Sequence, residues 1–423
     1  LIDLEGHGRE DLAEDLDLSR TVGWFTSMFP VRLDLNDVVG PGEGLKRTKE
    51  TLRAIPRRGI GYGMLRYLAD GEALADLPTA QVSFNYLGQI GEGPEQGSPR
   101  LRQVAEPTGA PLDSRNVRSH QIDVLCRVSD GQLRASWYYS ANLHDRDTIE
   151  TRARRFVDHL RDIIAHCREA DGGVTLSDFP LLEMDQTALE RLVAQVDKAR
   201  EVADIYPLSP LQQGLLFHSL LDPSSSVYLT SLNWRLRGPL DVPALQQTWV
   251  QLLERHDILR TAFLGLDLER PVQVVLKHVP LPFEVHDWSR AAPEEQESRL
   301  AALVQSERER GFDFARAPLF RLSLVRLGPE EHRLIWTSHH VLLDGWSMSV
   351  LMGEISVLYA SLVEGRTPRL PPARRYRDYI SWLLQQDMDA AEGYWRDTLA
   401  GFSTPTPLGI DRRAGTRSGP GDR

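Results

Sequence analysis

The chain has 423 residues, 41% hydrophobic and 26% charged, and carries a formal net charge of −11. That length accommodates two or three ordinary globular domains, and the acidic excess argues against a nucleic-acid or anionic-membrane surface, leaving proteins and small molecules as partners. Two cysteines, Cys126 and Cys167, give neither a disulfide framework nor a paired-thiol metal spacing, which fits a reducing cytoplasm. No signal peptide and no apolar run of the roughly 18 to 20 residues of a membrane span is read. The opening LIDLEGHGRE, without Met, reads as the middle of a domain, so a segment of a longer protein is expected.

In chain order, LIDLEG (1–6) alternates as a strand and an acidic connection follows. Glu5, His7, Arg9 and Glu10 form an ionisable cluster that composition alone reads as a solvated turn. RTVGWFTSMFPVRLDL (20–35) predicts a buried strand ended by Pro30, and GLKRTKETLRAI (44–55) a helix stopping before Pro56. GIGYG (59–63) lacks the spacing and preceding strand of a dinucleotide fingerprint, and is expected to turn the backbone sharply or bring it close to a neighbour. QVSFNYLGQI (81–90) predicts a strand, followed by the loop GEGPEQGSPR. HQIDVLCRVSDGQLRASWYYS (120–140) predicts a hairpin about Asp130-Gly131, and 147–167 a long amphipathic helix.

A connector containing the helical TALERLVAQVDKAR leads to a new domain at Asp204. SPLQQGLLFHSLL (209–221) predicts a helix with Pro210 at its first position, SLNWRLRG a strand and 242–259 a long amphipathic helix. VQVVLKHV, a helix about EEQESRLAALVQSERER, FRLSLVRLG and RLIWTS suggest a sheet with helices on it. The last regular segment, RYRDYISWLLQQDMDAAEGYWRDTLAGF, is helical at both ends, and the tail 403–423 is expected to be disordered.

HHVLLDG (339–345) is the densest acid/base packet, set between an apolar strand and an apolar helix. Successive strand side chains face opposite ways, so His339 and His340 should point apart, one structural and one chemical. That geometry is poor for chelation, so no metal is expected. His340, at a strand end, could accept a proton from an attacking amine or hydroxyl, whereas the plainer alternative is two core histidines beside a helix cap.

HHVLLDGWS resembles the HHxxxDG motif of non-ribosomal peptide synthetase condensation domains. YPLSPLQQGLLFHSLLDP (206–223), RHDILRTAF (255–263) and the segment from Tyr376 are similar to further motifs of that family in the same order, and SPLQQGLLFH resembles the subtype that accepts a D-configured donor. EGHGRE, RTVGWFTSMFPV, GIGYG and FNYLGQ are similar to successive motifs in the second half of an epimerization domain of the same superfamily.

The resemblance implies an α/β fold of chloramphenicol acetyltransferase-like lobes, mixed sheets covered by helices. Residues 1–180 would be the C-terminal lobe of an epimerization domain, 181–203 a linker and 204–402 the N-terminal lobe of a condensation domain. It implies His340 as the group that positions or deprotonates the acceptor amine, with His339 and Gly345 in support. Asp344 would hold the loop through an ion pair with Arg260 or, second, Arg321. In the other half Glu5 would exchange an α-proton, with Glu10 the weaker candidate. His7, Asn85, Tyr86, Trp346 and Ser347 would line substrate clefts. Phosphopantetheine would arrive on partner peptidyl carrier domains of the same cytoplasmic synthetase. The isolated segment is expected to be inactive, each site lacking its opposite lobe. The competing readings are a non-catalytic carrier-docking fragment or broken-gene product, and a stand-alone hybrid acyltransferase.

Overall fold

The computed structural model describes residues 1–9, 17–18, 20–68, 74, 77–89, 116–129, 131–169, 173–222, 226–266 and 270–404. Glu10, the loop GEGPEQGSPR and the tail from 405 lie outside the described residues. The chain divides into two compact units, Leu1–Glu201 and Val202–Arg423.

In the first unit, β1 (Ile2–Gly6), β2 (Ser27–Val31), β3 (Val82–Gln89), β4 (Ile122–Ser129) and β5 (Gln132–Tyr139) form one mixed sheet in the order β2-β1-β3-β4-β5. β1 runs parallel to β3 and β3 to β4, while β1–β2 and β4–β5 are antiparallel. One register row across all five strands is apolar: Phe29, Leu4, Phe84, Val124 and Trp137. On this face Trp137 meets Phe156 of helix α3 (Arg146–Glu169) edge-on, with ring centroids 6.1 Å apart. The adjoining rows carry the polar side chains of the sheet, Asp3, Ser83 and Asp123 in one and Glu5, Asn85 and Ser136 in the other, the latter interrupted by Met28 and Leu125, as suits a sheet covered on one side.

Helices α1 (Pro41–Arg53) and α2 (Ile60–Tyr67) complete this layer. Gly59, between them, is left-handed (φ 82°), and a Cβ there would come 2.1 Å from the Phe29 ring, so the turn and the close approach expected of GIGYG coincide. Pro30 lies within β2 rather than ending it, since an edge strand tolerates a residue with no N–H to donate on its open side. The hairpin occurs as expected, with Ser129 opposite Gln132.

The segment expected as a linker carries helix α4 (Gln186–Val193), capped by the Asp185 carboxylate, which accepts from the Ala188 amide at 2.7 Å. Its Leu189 and Leu192 are fully buried, and Glu190 pairs with Lys46 of α1 at 2.7 Å. These contacts fasten the stretch to the first unit, so the division falls after Glu201.

The second unit has a three-stranded antiparallel sheet, β6 (Val202–Pro207), β9 (Val272–Leu276) and β8 (Thr261–Leu264), in that order. A four-stranded sheet holds β10 (Phe283–Asp287), β11 (Phe320–Gly328), β12 (Glu331–His339) and β7 (Leu229–Arg237), with β10 parallel to β11 and the rest antiparallel. Helix α5 (Pro210–Leu221) precedes β7, and α6 (Val242–Arg255) lays Trp249 on the larger sheet, 4.9 Å from Trp336 and 6.0 Å from Phe320 between ring centroids. Helix α7 (Pro293–Glu309) brings Leu300 against Val325 and Ile335. β12 is thus covered on both faces, which is why RLIWTS reads as a continuous rather than an alternating pattern.

Helices α8 (Gly345–Val363), α9 (Tyr376–Leu384) and α10 (Met388–Thr398) close the described chain. By length and composition α8 could span a membrane (mean hydropathy 1.4), which the sequence reading did not register. It packs on α6 instead, placing Leu351 and Leu358 in the core and Glu354 against Arg255 and His256. Mixed sheets covered by helices agree with the expected class.

Candidate functional sites

β12 delivers HHVLLDG to the end of the larger sheet. His339 is its last residue, 4% exposed, and accepts the Val341 amide at Nδ1 (3.1 Å). Nε2 therefore carries the hydrogen and donates to Ser219 Oγ of α5 at 3.0 Å, whose hydroxyl in turn donates to the Leu215 carbonyl at 2.8 Å. Burial, with the neighbouring His340 adding to it, pushes His339 down to about 4, so the ring is neutral at physiological pH.

His340 is exposed, and its amide is held by the Tyr228 carbonyl at 2.9 Å. Its Nδ1–H donates to the Leu343 carbonyl at 2.9 Å, leaving Nε2 as the basic nitrogen. The two histidines point apart as the alternation required. Beneath the loop, Gln212 donates to the Val341 carbonyl at 3.1 Å and exchanges hydrogen bonds with Gln273, while the Ser209–Gln212 capping box fixes the start of α5. Sequence reasoning missed Gln212, Ser219 and Gln273 as loop supports, although S-P-L-Q is itself a capping-box signature.

The expected Asp344–arginine pair does not form. Asp344 caps α8, accepting the Ser347 amide at 2.8 Å and the Ser347 hydroxyl at 2.6 Å, and these hydrogen bonds hold its carboxyl below the usual carboxylate range. Arg260 instead donates to the Leu253 and Leu276 carbonyls and pairs with Asp257 at 2.7 Å. Arg321 pairs with Glu307 of α7 at 2.5 Å and lies over the Phe312 ring. The helix N-terminus meets the need of Asp344 for partners, and each arginine is committed to its own neighbourhood. Ser347 is likewise engaged in the cap, Trp346 is 81% exposed, and Gly345 opens α8 with free space around it.

In the first unit, Glu5, His7, Asn85 and Tyr86, separated by some 80 residues of sequence, line one cleft of about 570 Å³. The parallel pairing of β1 and β3 sets Glu5 directly beside Asn85. Arg9, Trp24 and Phe25 add to the wall, with the Arg9 guanidinium 4.3 Å from the Phe25 ring centroid. Gly8 is left-handed (φ 66°), and any Cβ there would strike the Phe25 carbonyl, so GHG lets the loop return over this wall. Of these wall residues, Arg9 belongs to the ionisable cluster read from sequence, whereas Trp24 and Phe25 were not singled out, because nothing in periodicity distinguishes a cleft wall from a strand entry.

Residues 1–179 and 202–423 each match the sequence profile of the family described as condensation domain. The chain is 42% identical over 422 residues to one of the proteins that make up the linear gramicidin synthase of Brevibacillus parabrevis, covering 99% of this chain and 5% of that protein. It is 35% identical over 410 residues to bacitracin synthase 3 of Bacillus licheniformis, covering 97% of this chain and 6% of that protein. The chain thus spans less than a tenth of these relatives. Among solved structures, the starter condensation domain of rhizomide synthetase aligns with a TM-score of 0.43 at 20% identity, covering 47% of this chain and 50% of that one.

Proposed function

Because the chain belongs to the condensation-domain family, we propose that it is part of a modular, cytoplasmic non-ribosomal peptide synthetase. Val202–Arg423 contributes the His340 side of a condensation site, and Leu1–Glu201 the Glu5 side of an epimerization site. The observation that carries this reading is the tautomer of His340: with Nδ1–H committed to the Leu343 carbonyl, Nε2 is presented as a base at the end of a rigid strand.

In condensation, the acceptor amine attacks the carbonyl carbon of the donor thioester. The C–N bond forms, the C–S bond breaks, and the amine proton passes to His340 Nε2 and on to the departing thiolate. In epimerization, Glu5 exchanges the α-proton of a carrier-bound residue, with the opposite acid/base supplied elsewhere in the synthetase. The SPLQQGLLFH form of α5 supports a D-configured donor for the condensation step. Phosphopantetheine comes with the carrier domain as the arm bearing the substrate. The cleft beside Glu5 suits such an amide-and-thioester arm, since Asn85 offers a hydrogen-bond donor and acceptor next to the apolar Trp24 and Phe25.

The test is the parent synthetase incubated in deuterated water with carriers loaded with donor and acceptor. Mass spectrometry should find a dipeptidyl thioester and deuterium at the donor α-carbon, while the 423-residue chain alone yields neither. A parent that binds loaded carriers yet forms neither product would replace this reading with carrier docking alone.

A further inference from the structure

Beneath the HHVLLDG loop lies a pair of buried carboxamides that touches no reacting atom, Gln212 of α5, 5% exposed, and Gln273 of β9, fully buried. Gln212 Nε2 donates to the Val341 carbonyl at 3.1 Å and to Gln273 Oε1 at 3.3 Å. Gln212 Oε1 accepts from the Ser209 amide and from Gln273 Nε2, each at 3.0 Å. Two donors and two lone pairs are all that a carboxamide has, so every position is filled. The orientation is fixed as well, because the Ser209 amide can only donate and the Val341 carbonyl can only accept. Gln273 Nε2 also donates to the Pro207 carbonyl at 2.9 Å, which anchors the pair to the end of β6.

We infer that Gln212 is a positioning residue for condensation, holding the turn after His340 so that the Leu343 carbonyl stays on His340 Nδ1 and the Nε2 of that ring stays basic. This rests on the reading of His340 as the base of condensation. Three consecutive peptides of the turn are pinned. The His340 amide donates to the Tyr228 carbonyl at 2.9 Å, the Val341 amide to His339 Nδ1 at 3.1 Å, and the Leu342 amide to the His339 carbonyl at 3.1 Å. The third of these peptides, joining Val341 to Leu342, is the last one held before Leu343, and its carbonyl is the one that Gln212 grips.

Removing the Gln212 donor strands that carbonyl. Val341 is 2% exposed, and a buried carbonyl without a donor is costly enough that the peptide turns towards water or another donor. Leu343 is the next residue along, so its carbonyl shifts with the turn and leaves His340 Nδ1. The proton of a neutral imidazole freed in this way is no longer committed to Nδ1, and a ring protonated on Nε2 cannot accept a proton there. Misplacing a reacting group by about 1 Å costs up to about a hundredfold in rate. A pair that only stiffened the fold would lower stability and leave the His340 ring as it is.

The experiment reads the ring directly. In the 423-residue chain carrying nitrogen-15 histidine, imidazole shifts at alkaline pH report which nitrogen of His340 holds the proton, with His340→Gln assigning the signal. The wild-type chain is expected to show Nδ1–H alone, and Gln212→Met, which keeps the length of the side chain without its donor, a mixture of both tautomers. Gln212→Asn, too short to reach Val341, should show the same mixture and serves if Gln212→Met fails to fold. Leu300→Ala, which opens a cavity beside Val325 and Ile335, is the stability control: it should lower the melting temperature and leave Nδ1–H alone. In the parent synthetase, Gln212→Met should lower the rate constant of condensation about tenfold to a hundredfold with KM for the loaded acceptor carrier unchanged. An unmixed tautomer in folded Gln212→Met or Gln212→Asn chain, or an equal mixture in Leu300→Ala, overturns the inference. Absence of peptide-bond formation in the wild-type parent overturns the condensation reading instead, and the two failures are read from different proteins.

Discussion

His340 stands at the end of a strand buried on both faces, whereas Glu5 stands on a strand with helices on one face and an open cleft on the other. Around the first, helix α6 buries Leu245, Thr248, Trp249, Leu252 and Leu253 within 14 residues. Around the second, α1 and α2 bury no residue fully and the 24-residue α3 only Ile149. The second unit holds its HHVLLDG loop by apolar packing plus a few buried amides, while the first relies on hydrogen bonds and ion pairs such as His120–Asp3 and Lys49–Asp178. Packing resists salt and pH, and polar ties do not.

The sharpest way to separate the two sites is His340→Ala in the parent synthetase. Peptide-bond formation should drop about 10²–10⁴-fold, the usual worth of a positioned acid/base, with α-proton exchange unchanged. Equal loss of both reactions would mean that the sites are not independent. Trp249→Ala should cost the second unit about 3–5 kcal/mol, since its ring fills the space between Phe320 and Trp336. Hydrogen exchange during urea denaturation checks this, as protection in the first unit should be untouched.

Acid should loosen the units in different windows. His339 is pushed down to about 4 from an ordinary value near 6.5, so the unfolded chain takes up the proton first and the second unit loses stability as pH falls from about 6.5 to about 4, by about 3 kcal/mol. For Asp178, burial works to raise the carboxyl, but hydrogen bonds from Lys49, the Thr175 amide and Arg53 outweigh it and hold the group at about 2. That depressed value stabilises the first unit above the unfolded pKa, and the contribution, about 2 kcal/mol, is lost as pH falls from about 4 to about 2. Intrinsic tryptophan fluorescence of the two units produced separately would show the order, and simultaneous loss would contradict it. The smallest effect is Asp344→Ala, which removes a helix cap and should cost about 1 kcal/mol in thermal denaturation. Combined with Arg321→Ala it should be additive, because no bond joins the two residues.

Much of this was legible in the sequence where a rule is local. The divergence of His339 and His340 follows from strand alternation, the hairpin from two alternating runs, and the start of α5 from Ser209 and Pro210. The partner of Asp344 was not legible, because an N-cap and an ion pair are equally compatible with D-G before a helix, and the choice depends on where Arg260 and Arg321 are already committed. The Asp3–Ser83–Asp123 row was hidden for another reason: it exists only once three distant segments pair in parallel at one register. The linker reading failed because Leu189 and Leu192 are fully buried and Glu190 is tied to Lys46, 144 residues earlier in the chain, neither of which local pattern announces.

The two thiols give the first unit a built-in pair of reporters. Cys167 is exposed near the end of α3, whereas Cys126 lies in β4, 2% exposed, with burial pushing its thiol up and away from reactivity. A maleimide added under native conditions should label Cys167 at once and leave Cys126 as a clock that runs only when the sheet opens. The unmutated protein can thus time the breathing of the strand next to the one that pairs with Glu5, and show whether a docked carrier slows it.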